Sequence, residues 1–152
     1  MQTQDLGQGR GDAEASIPGR VILLVEDDVA ISEMYSLSLR LNGFHVETAG
    51  SAADALRTVN RVVPDLVLLD MGLPDRPGVE VLETLKAETR TAAIPVVVLS
   101  NYSEPDIVSR ALGSGAVLYM VKAETTPARV VATVGRLLAV ARGLAVGSDR
   151  SA

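Results

Sequence analysis

The chain has 152 residues, 47% of them hydrophobic, and a formal net charge of −5. That is one domain with enough apolar material for a core, which must be aliphatic because there is no Trp and only one Phe. The acidic balance argues against direct nucleic-acid binding, which needs a basic face, and the lack of cysteine excludes disulfides, thiolate metal sites and a Cys nucleophile.

No apolar run approaches the roughly 18 residues of a membrane span, and the N-terminus lacks the apolar stretch of a secretory signal. A cytoplasmic protein with no membrane partner is the expectation.

Residues 1–18 are rich in Gly, Gln and Asp and read as a disordered tail. Val21-Ile22-Leu23-Leu24-Val25 is a continuous apolar run, the first predicted buried strand, and it ends in Glu26, Asp27 and Asp28. Ile31, Met34, Leu37 and Leu41 then recur at helical spacing, with Asp28 placed as N-cap and Asn42-Gly43 as the stop. Phe44 to Thr48 alternates apolar and polar, the pattern of a half-exposed edge strand. Ser51 and Asp54 resemble a capping box opening a helix from about Ala52 to Arg61.

The stretch from Asp65 to Pro74 follows, and the chain is arranged around it. Leu66 to Leu69 is an apolar run, which reads as a strand buried on both faces. It places Asp70 at a strand's carboxyl end, where open α/β sheets put their ligand sites. Pro77 and Gly78 lead into a helix carrying Val79, Leu82 and Leu85 and ending near Thr89. Ile94 to Leu99 is a further buried strand, with Pro95 tolerable near its start, and it ends in Ser100-Asn101.

Ser103 and Asp106 form a second capping-box pattern before a helix with Ile107, Val108, Ala111 and Leu112. Val117 to Val121 is the last strand and ends at Lys122. Thr126 as N-cap and Pro127 at the first helical position open a final helix running to about Arg142. Strand and helix alternate strictly, which gives an α/β fold, a doubly wound parallel sheet of five strands covered on both faces. The domain spans 19–143, and 144–152 reads as a flexible C-terminal tail.

The strand ends carry chemistry. Glu26 and Asp27, Asp70, Ser100 and Lys122 gather at one rim if the strands lie parallel. Three clustered carboxylates repel, and a hard divalent ion with oxygen ligands resolves this; Mg²⁺ suits a few carboxylates plus waters. A carboxylate nucleophile, a metal, a hydroxyl and an ammonium make a phosphoryl-transfer site, with an aspartyl-phosphate as its product.

The motifs V-E-D-D, D-L-V-L-L-D-M-G-L-P-D-R-P-G, V-V-V-L-S and G-A-V-L-Y-M-V-K resemble, in order and spacing, the receiver domain of two-component response regulators. The resemblance covers about residues 20–142. It implies a flavodoxin-like sheet in the order 2-1-3-4-5 and phosphorylation of Asp70 by a histidine kinase or phosphotransfer protein. It also implies Asp27 as direct Mg²⁺ ligand, Glu26 as a ligand through water and the Gly72 main-chain carbonyl as a third. Ser100 and Lys122 match the family's hydroxyl and lysine. Tyr119 matches an aromatic switch that turns inward as Ser100 moves toward the phosphate.

Three positions depart from the commonest family pattern. Asn101 stands where a small residue is usual, which narrows access to the phosphate. Gly72 has no side chain to orient an attacking water. Ala123 replaces a proline whose preceding bond is cis in the family, and cis costs about 2.5–4 kcal/mol before a non-proline residue. A trans bond with Lys122 displaced and a strained cis bond are both open.

Ordinary readings stand beside these. Asp28 reads as a cap and Asp27 as a site residue. Ser100 alone is a turn residue and Lys122 alone a surface lysine, but their joint spacing favours the site. Tyr119 reads as a switch or as static packing, Met71 as a shield for the pocket or as core. His45, the only histidine, falls on an exposed strand face, so His-based catalysis has no support.

The final helix carries Val130, Val131, Val134, Leu137, Leu138 and Val140, with Leu144 beyond, more than one buried stripe. A homodimer or partner interface there is the expectation. The leading functional expectation is a stand-alone receiver with no output domain, not a turnover enzyme, passing its state to a downstream protein or acting as a phosphate shuttle or sink. A non-phosphorylated pseudo-receiver and an aspartate-nucleophile phosphatase are the alternatives; for the second, Gly72 occupies the general acid's place.

Overall fold

Each apolar run becomes a strand, and each amphipathic run becomes a helix laid across the sheet. The computed structural model describes residues 19–141. In chain order the elements are β1 (Val21–Val25), α1 (Val29–Leu41), β2 (His45–Ala49), α2 (Ala52–Val62), β3 (Leu66–Leu69) and α3 (Gly78–Ala87). Then come β4 (Val96–Ser100), α4 (Pro105–Gly113), β5 (Leu118–Val121), a 3₁₀ turn (Lys122–Glu124) and α5 (Pro127–Ala141). The five strands form one sheet in the order β2-β1-β3-β4-β5, and every pairing is parallel.

Successive strand residues point to opposite faces, and the core divides accordingly. Leu23, Val25, Val67, Leu69, Val96 and Val98 face one layer with Ala55, Val59, Leu82, Leu85 and Ala111 from α2, α3 and α4. Ile22, Leu24, Leu66, Leu68, Val97 and Leu99 face the other with Tyr35, Leu39, Val130, Val134 and Leu138 from α1 and α5. Burying each Val, Leu or Ile among these stabilises the fold by about 1.5–3 kcal/mol. The central strands are apolar throughout because both faces are covered.

Several local expectations need correction. The buried face of α1 is Ser32, Tyr35, Ser36 and Leu39, whereas Met34, Leu37 and Leu41 are 44%, 59% and 76% exposed. Two small serines, not the helix's larger apolar side chains, thus share the core-facing side with Tyr35 and Leu39. Strand β4 starts at Val96, not Ile94. Pro95 has no N–H for the ladder, although its carbonyl accepts from Val67 N at 3.0 Å.

Helix α3 stops at Ala87, before Thr89, because Glu88 turns to extended backbone. Ser103 does not cap α4: Glu104 precedes Pro105 without a side-chain cap bond, and only Ala111 of that helix is fully buried. Strand β5 begins at Leu118.

The apolar excess of α5 is mostly used within the chain. Val130, Val134 and Leu138 are fully buried, and Val131 and Leu137 pack against the same layer. Val140 remains 48% exposed, so the apolar surface left for the expected homodimer or partner on this helix is Val140 with the partly buried Val131 and Leu137. Arg142, Leu144 and the two tails lie outside the described residues. Among the described residues no helix is long and apolar enough to cross a membrane.

Candidate functional site

The parallel sheet brings the carboxyl ends of β1, β3, β4 and β5 to one rim. Val25 pairs with Leu69 and Ser100 with Val121, so the residues that follow those ends become neighbours. The ladder continues past the strands, with Glu26 N donating to Ala49 O at 2.9 Å and Asp70 N donating to Val25 O at 3.1 Å. Glu26, Asp27, Asp70, Gly72, Ser100 and Lys122 line one cleft of about 240 Å³. A wider groove of about 510 Å³ shares Glu26 and Asp27 but runs along α1 and holds neither Asp70 nor Lys122.

Glu26, Asp70 and Ser100 are only 6%, 7% and 1% exposed, whereas Asp27 is exposed. Asp28 N donates to Glu26 Oε2 at 3.0 Å, while Asp28 Oδ1 caps α1 through Ile31 N, also at 3.0 Å. Both oxygens of Asp70 are engaged: Oδ1 accepts from Gly72 N at 3.1 Å and Oδ2 from Lys122 Nζ at 2.9 Å. The same ammonium also donates to Glu26 Oε1. Gly78 packs so closely behind the site that a Cβ there would lie 2.1 Å from Asp70 O. That position therefore needs glycine.

Burial pushes the Glu26 carboxyl above its usual range, and the hydrogen bond from Lys122 only partly opposes this. Burial pulls the Lys122 ammonium down, but hydrogen bonds to Glu26 and Asp70 outweigh it and leave lysine above its ordinary value. Carboxylate oxygens of Glu26, Asp27 and Asp70 lie within 4.8 Å of one another. One ammonium against three carboxylates leaves net negative charge. The donors offered are hard oxygens only, a set that fits Mg²⁺ and not a soft metal.

Such a rim recurs in a known family. The sequence matches the response regulator receiver domain over residues 22–134. The chain belongs to that family.

Its relatives among curated proteins are larger. The transcriptional regulatory protein KdpE of Staphylococcus aureus is 37% identical over 101 residues, 66% of this chain and 42% of KdpE. The DNA-binding response regulator MtrA of Mycobacterium tuberculosis is 38% identical over 101 residues, 66% of this chain and 43% of MtrA. The phosphate regulon regulator PhoB of Escherichia coli is 38% identical over 115 residues, 76% of this chain and 50% of PhoB. This receiver thus spans half or less of those relatives.

Among solved structures, a CheY-like receiver domain protein from Methanospirillum hungatei superposes with a TM-score of 0.73 at 27% identity, over 78% of this chain and 93% of that one. The BeF3-activated receiver domain of Klebsiella pneumoniae RstA gives 0.72 at 28% identity, over 78% and 98%.

The receiver's other singled-out residues are placed as follows. Tyr119 packs against the layer under α2, α3 and α4, and its hydroxyl donates to Tyr102 O; burial raises its pKa. Met71, 4% exposed, belongs to the same layer and is packing rather than a shield. His45 is exposed on β2. Among the described residues no peptide bond is cis, so Lys122–Ala123 is trans.

Tyr102 was not read from the sequence as a site residue, yet it lines the cleft. A Cβ on Gly72 would lie 2.9 Å from its hydroxyl. The missing side chain at position 72 was the only signal, because the ring occupies that space.

Proposed function

We propose that this receiver accepts a phosphoryl group on Asp70 from a phosphohistidine of a histidine kinase or phosphotransfer protein, in a Mg²⁺-dependent step. The observation that carries this reading is the setting of Asp70: a nearly buried carboxylate, held between an ammonium and a backbone N–H, with two further carboxylates within 4.8 Å. Glu26, Asp27 and Asp70 with the Gly72 carbonyl would hold the ion. When bound, Mg²⁺ supplies positive charge against the carboxylates and the transferring oxygens.

The chain's own groups do the rest. A lone pair on an Asp70 carboxylate oxygen forms the O–P bond as the donor's P–N bond breaks. The departing imidazole nitrogen keeps the electron pair and takes a proton from water. Lys122, which bridges Glu26 and Asp70, neutralises a phosphoryl oxygen, and the Ser100 hydroxyl donates to another. Positioning and charge supply most of the acceleration.

Ser100 is joined to Tyr119 through Tyr102, whose N–H donates to Ser100 Oγ at 3.2 Å. Movement of Ser100 toward the phosphate would therefore be felt at Tyr119, and a downstream protein would read that change. The receiver is in this reading a switch and not a turnover enzyme. The relative MtrA is a DNA-binding response regulator, so the acidic balance of this receiver does not exclude a nucleic-acid partner.

Incubation with Mg²⁺ and a small phosphodonor, followed by intact mass spectrometry, tests the reaction. A single phosphate adduct lost in Asp70→Asn is expected. No adduct on the wild type would instead indicate a non-phosphorylated interaction module, and sustained donor consumption a phosphatase.

A further inference from the structure

Two of the departures from the family pattern touch each other. The N–H of Ala123 donates to Asn101 Oδ1 at 3.0 Å, a bond impossible with proline at 123. It ties the loop after β4 to the 3₁₀ turn that begins at Lys122. It also fixes the orientation of the amide, because only the carbonyl end of an asparagine can accept from an N–H. The other end, Nδ2, carries two donors and has no acceptor among the described residues. Asn101 lines the acceptor cleft beside Ser100 and Lys122.

We propose that Asn101 is a phosphoryl-binding residue, its Oδ1 anchored on Ala123 N–H and its Nδ2 donating to an oxygen of the phosphoryl group on Asp70. The residue does not merely narrow the cleft; it replaces bare space with a neutral donor held in one orientation. The chemistry suits the ligand. A phosphoryl group presents several anionic acceptors, while the cleft's other side-chain donors are the Ser100 and Tyr102 hydroxyls and the Lys122 ammonium, beside the Gly72 N–H that Asp70 already engages. An amide NH₂ adds a donor without adding charge beside Lys122. This inference rests on Asp70 being the acceptor.

Asn101→Ala and Asn101→Asp separate the two roles of the amide. Asp keeps an oxygen for the Ala123 N–H but replaces the donor by an acceptor; Ala removes both. Three quantities are read on the full chain at saturating Mg²⁺ and high salt, where remote repulsion is screened: thermal unfolding, hydrogen exchange at the Ala123 amide, and equilibrium affinity for beryllofluoride as the phosphoryl mimic. Both variants should stay folded.

The Ala123 amide should remain protected in Asp and lose protection in Ala. Beryllofluoride affinity should fall about tenfold in Ala and at least as far in Asp, the size expected for a hydrogen bond to a charged group. Wild-type affinity in Asp with the Ala123 amide still protected would reduce Asn101 to a loop clamp and overturn the proposal. Unchanged affinity in Ala would overturn it as well. A wild type that binds no beryllofluoride and forms no adduct would instead sink the Asp70 reading, and this inference with it.

Discussion

The hydroxyl of Tyr119 donates to the main-chain carbonyl of Tyr102, and the N–H of that same residue donates to Ser100 Oγ at 3.2 Å. One loop residue thus links an aromatic ring on β5 with a hydroxyl at the end of β4. Tyr119→Phe keeps the ring packed and removes the donor. Urea unfolding should show a loss of about 0.5–1.5 kcal/mol, the net worth of one hydrogen bond. Exchange of the Tyr102 amide should quicken while adduct formation at Asp70 is retained. Loss of the adduct would mean that the ring's hydroxyl serves the transfer itself.

Lys122→Ala should be costly, because the ammonium pairs two carboxylates whose side chains are only 4% and 10% exposed. Removing one partner of a fully buried pair costs about 3–5 kcal/mol; this pair faces an open cleft, which places the loss below that range. Glu26 is already raised above 4.5 by burial, and losing Lys122 raises it further. A carboxyl raised on folding favours the folded state below its unfolded pKa and loses that contribution as pH rises through the folded value. The deficit of the variant should therefore be largest near neutrality and shrink toward pH 4.5. Urea midpoints at several pH values check the slope; a deficit independent of pH would refute the pairing argument.

Strand ends were the legible part of this chain. Apolar runs delimit β1, β3 and β4, and a parallel sheet must then gather Glu26, Asp70 and Ser100 at one rim, with Lys122 after β5. The order of the strands came from the resemblance, not from the residues. What sequence reading missed depends on packing across distant segments. The exposed side of α1 carries Met34, Leu37 and Leu41, and helical spacing cannot show that Ser32 and Ser36 face the core. Tyr102 fills the room left by Gly72, and Asn101 meets Ala123; each looks like an isolated departure until the loops are brought together.

Mg²⁺ should stabilise the fold by mass action, by about 2.7 kcal/mol at a hundredfold excess over its Kd. Asp27 is the exposed member of the three-carboxylate cluster, so Asp27→Asn removes repulsion without leaving a cavity. In EDTA this variant should melt higher than wild type. On adding Mg²⁺ its melting temperature should rise far less. An equal rise in both proteins would place the ion elsewhere.

Asp75 lies in the loop beyond the acceptor, and its carboxylate accepts from Ala52 N at 2.8 Å and from Ala53 N at 3.0 Å. Ser51 Oγ accepts from Asp54 N at 3.1 Å, so α2 has two caps, one from its own segment and one from the acceptor loop. Those two backbone bonds hold the Asp75 carboxyl below its ordinary value of 3.8, and the positive end of the helix acts in the same direction. A carboxyl lowered on folding contributes stability above its unfolded pKa and loses it as pH falls through the folded one. Asp75→Ala should therefore lower the urea midpoint at neutral pH, and the gap from wild type should close as pH drops below 3.8. The same loop holds Gly72, bridged to Pro77, so loosening it should also weaken Mg²⁺ binding measured by calorimetry. Asp75→Asn keeps an acceptor oxygen and should fall between the two. A midpoint shift that persists undiminished in acid would show that the carboxylate's charge is not what fastens the loop to α2.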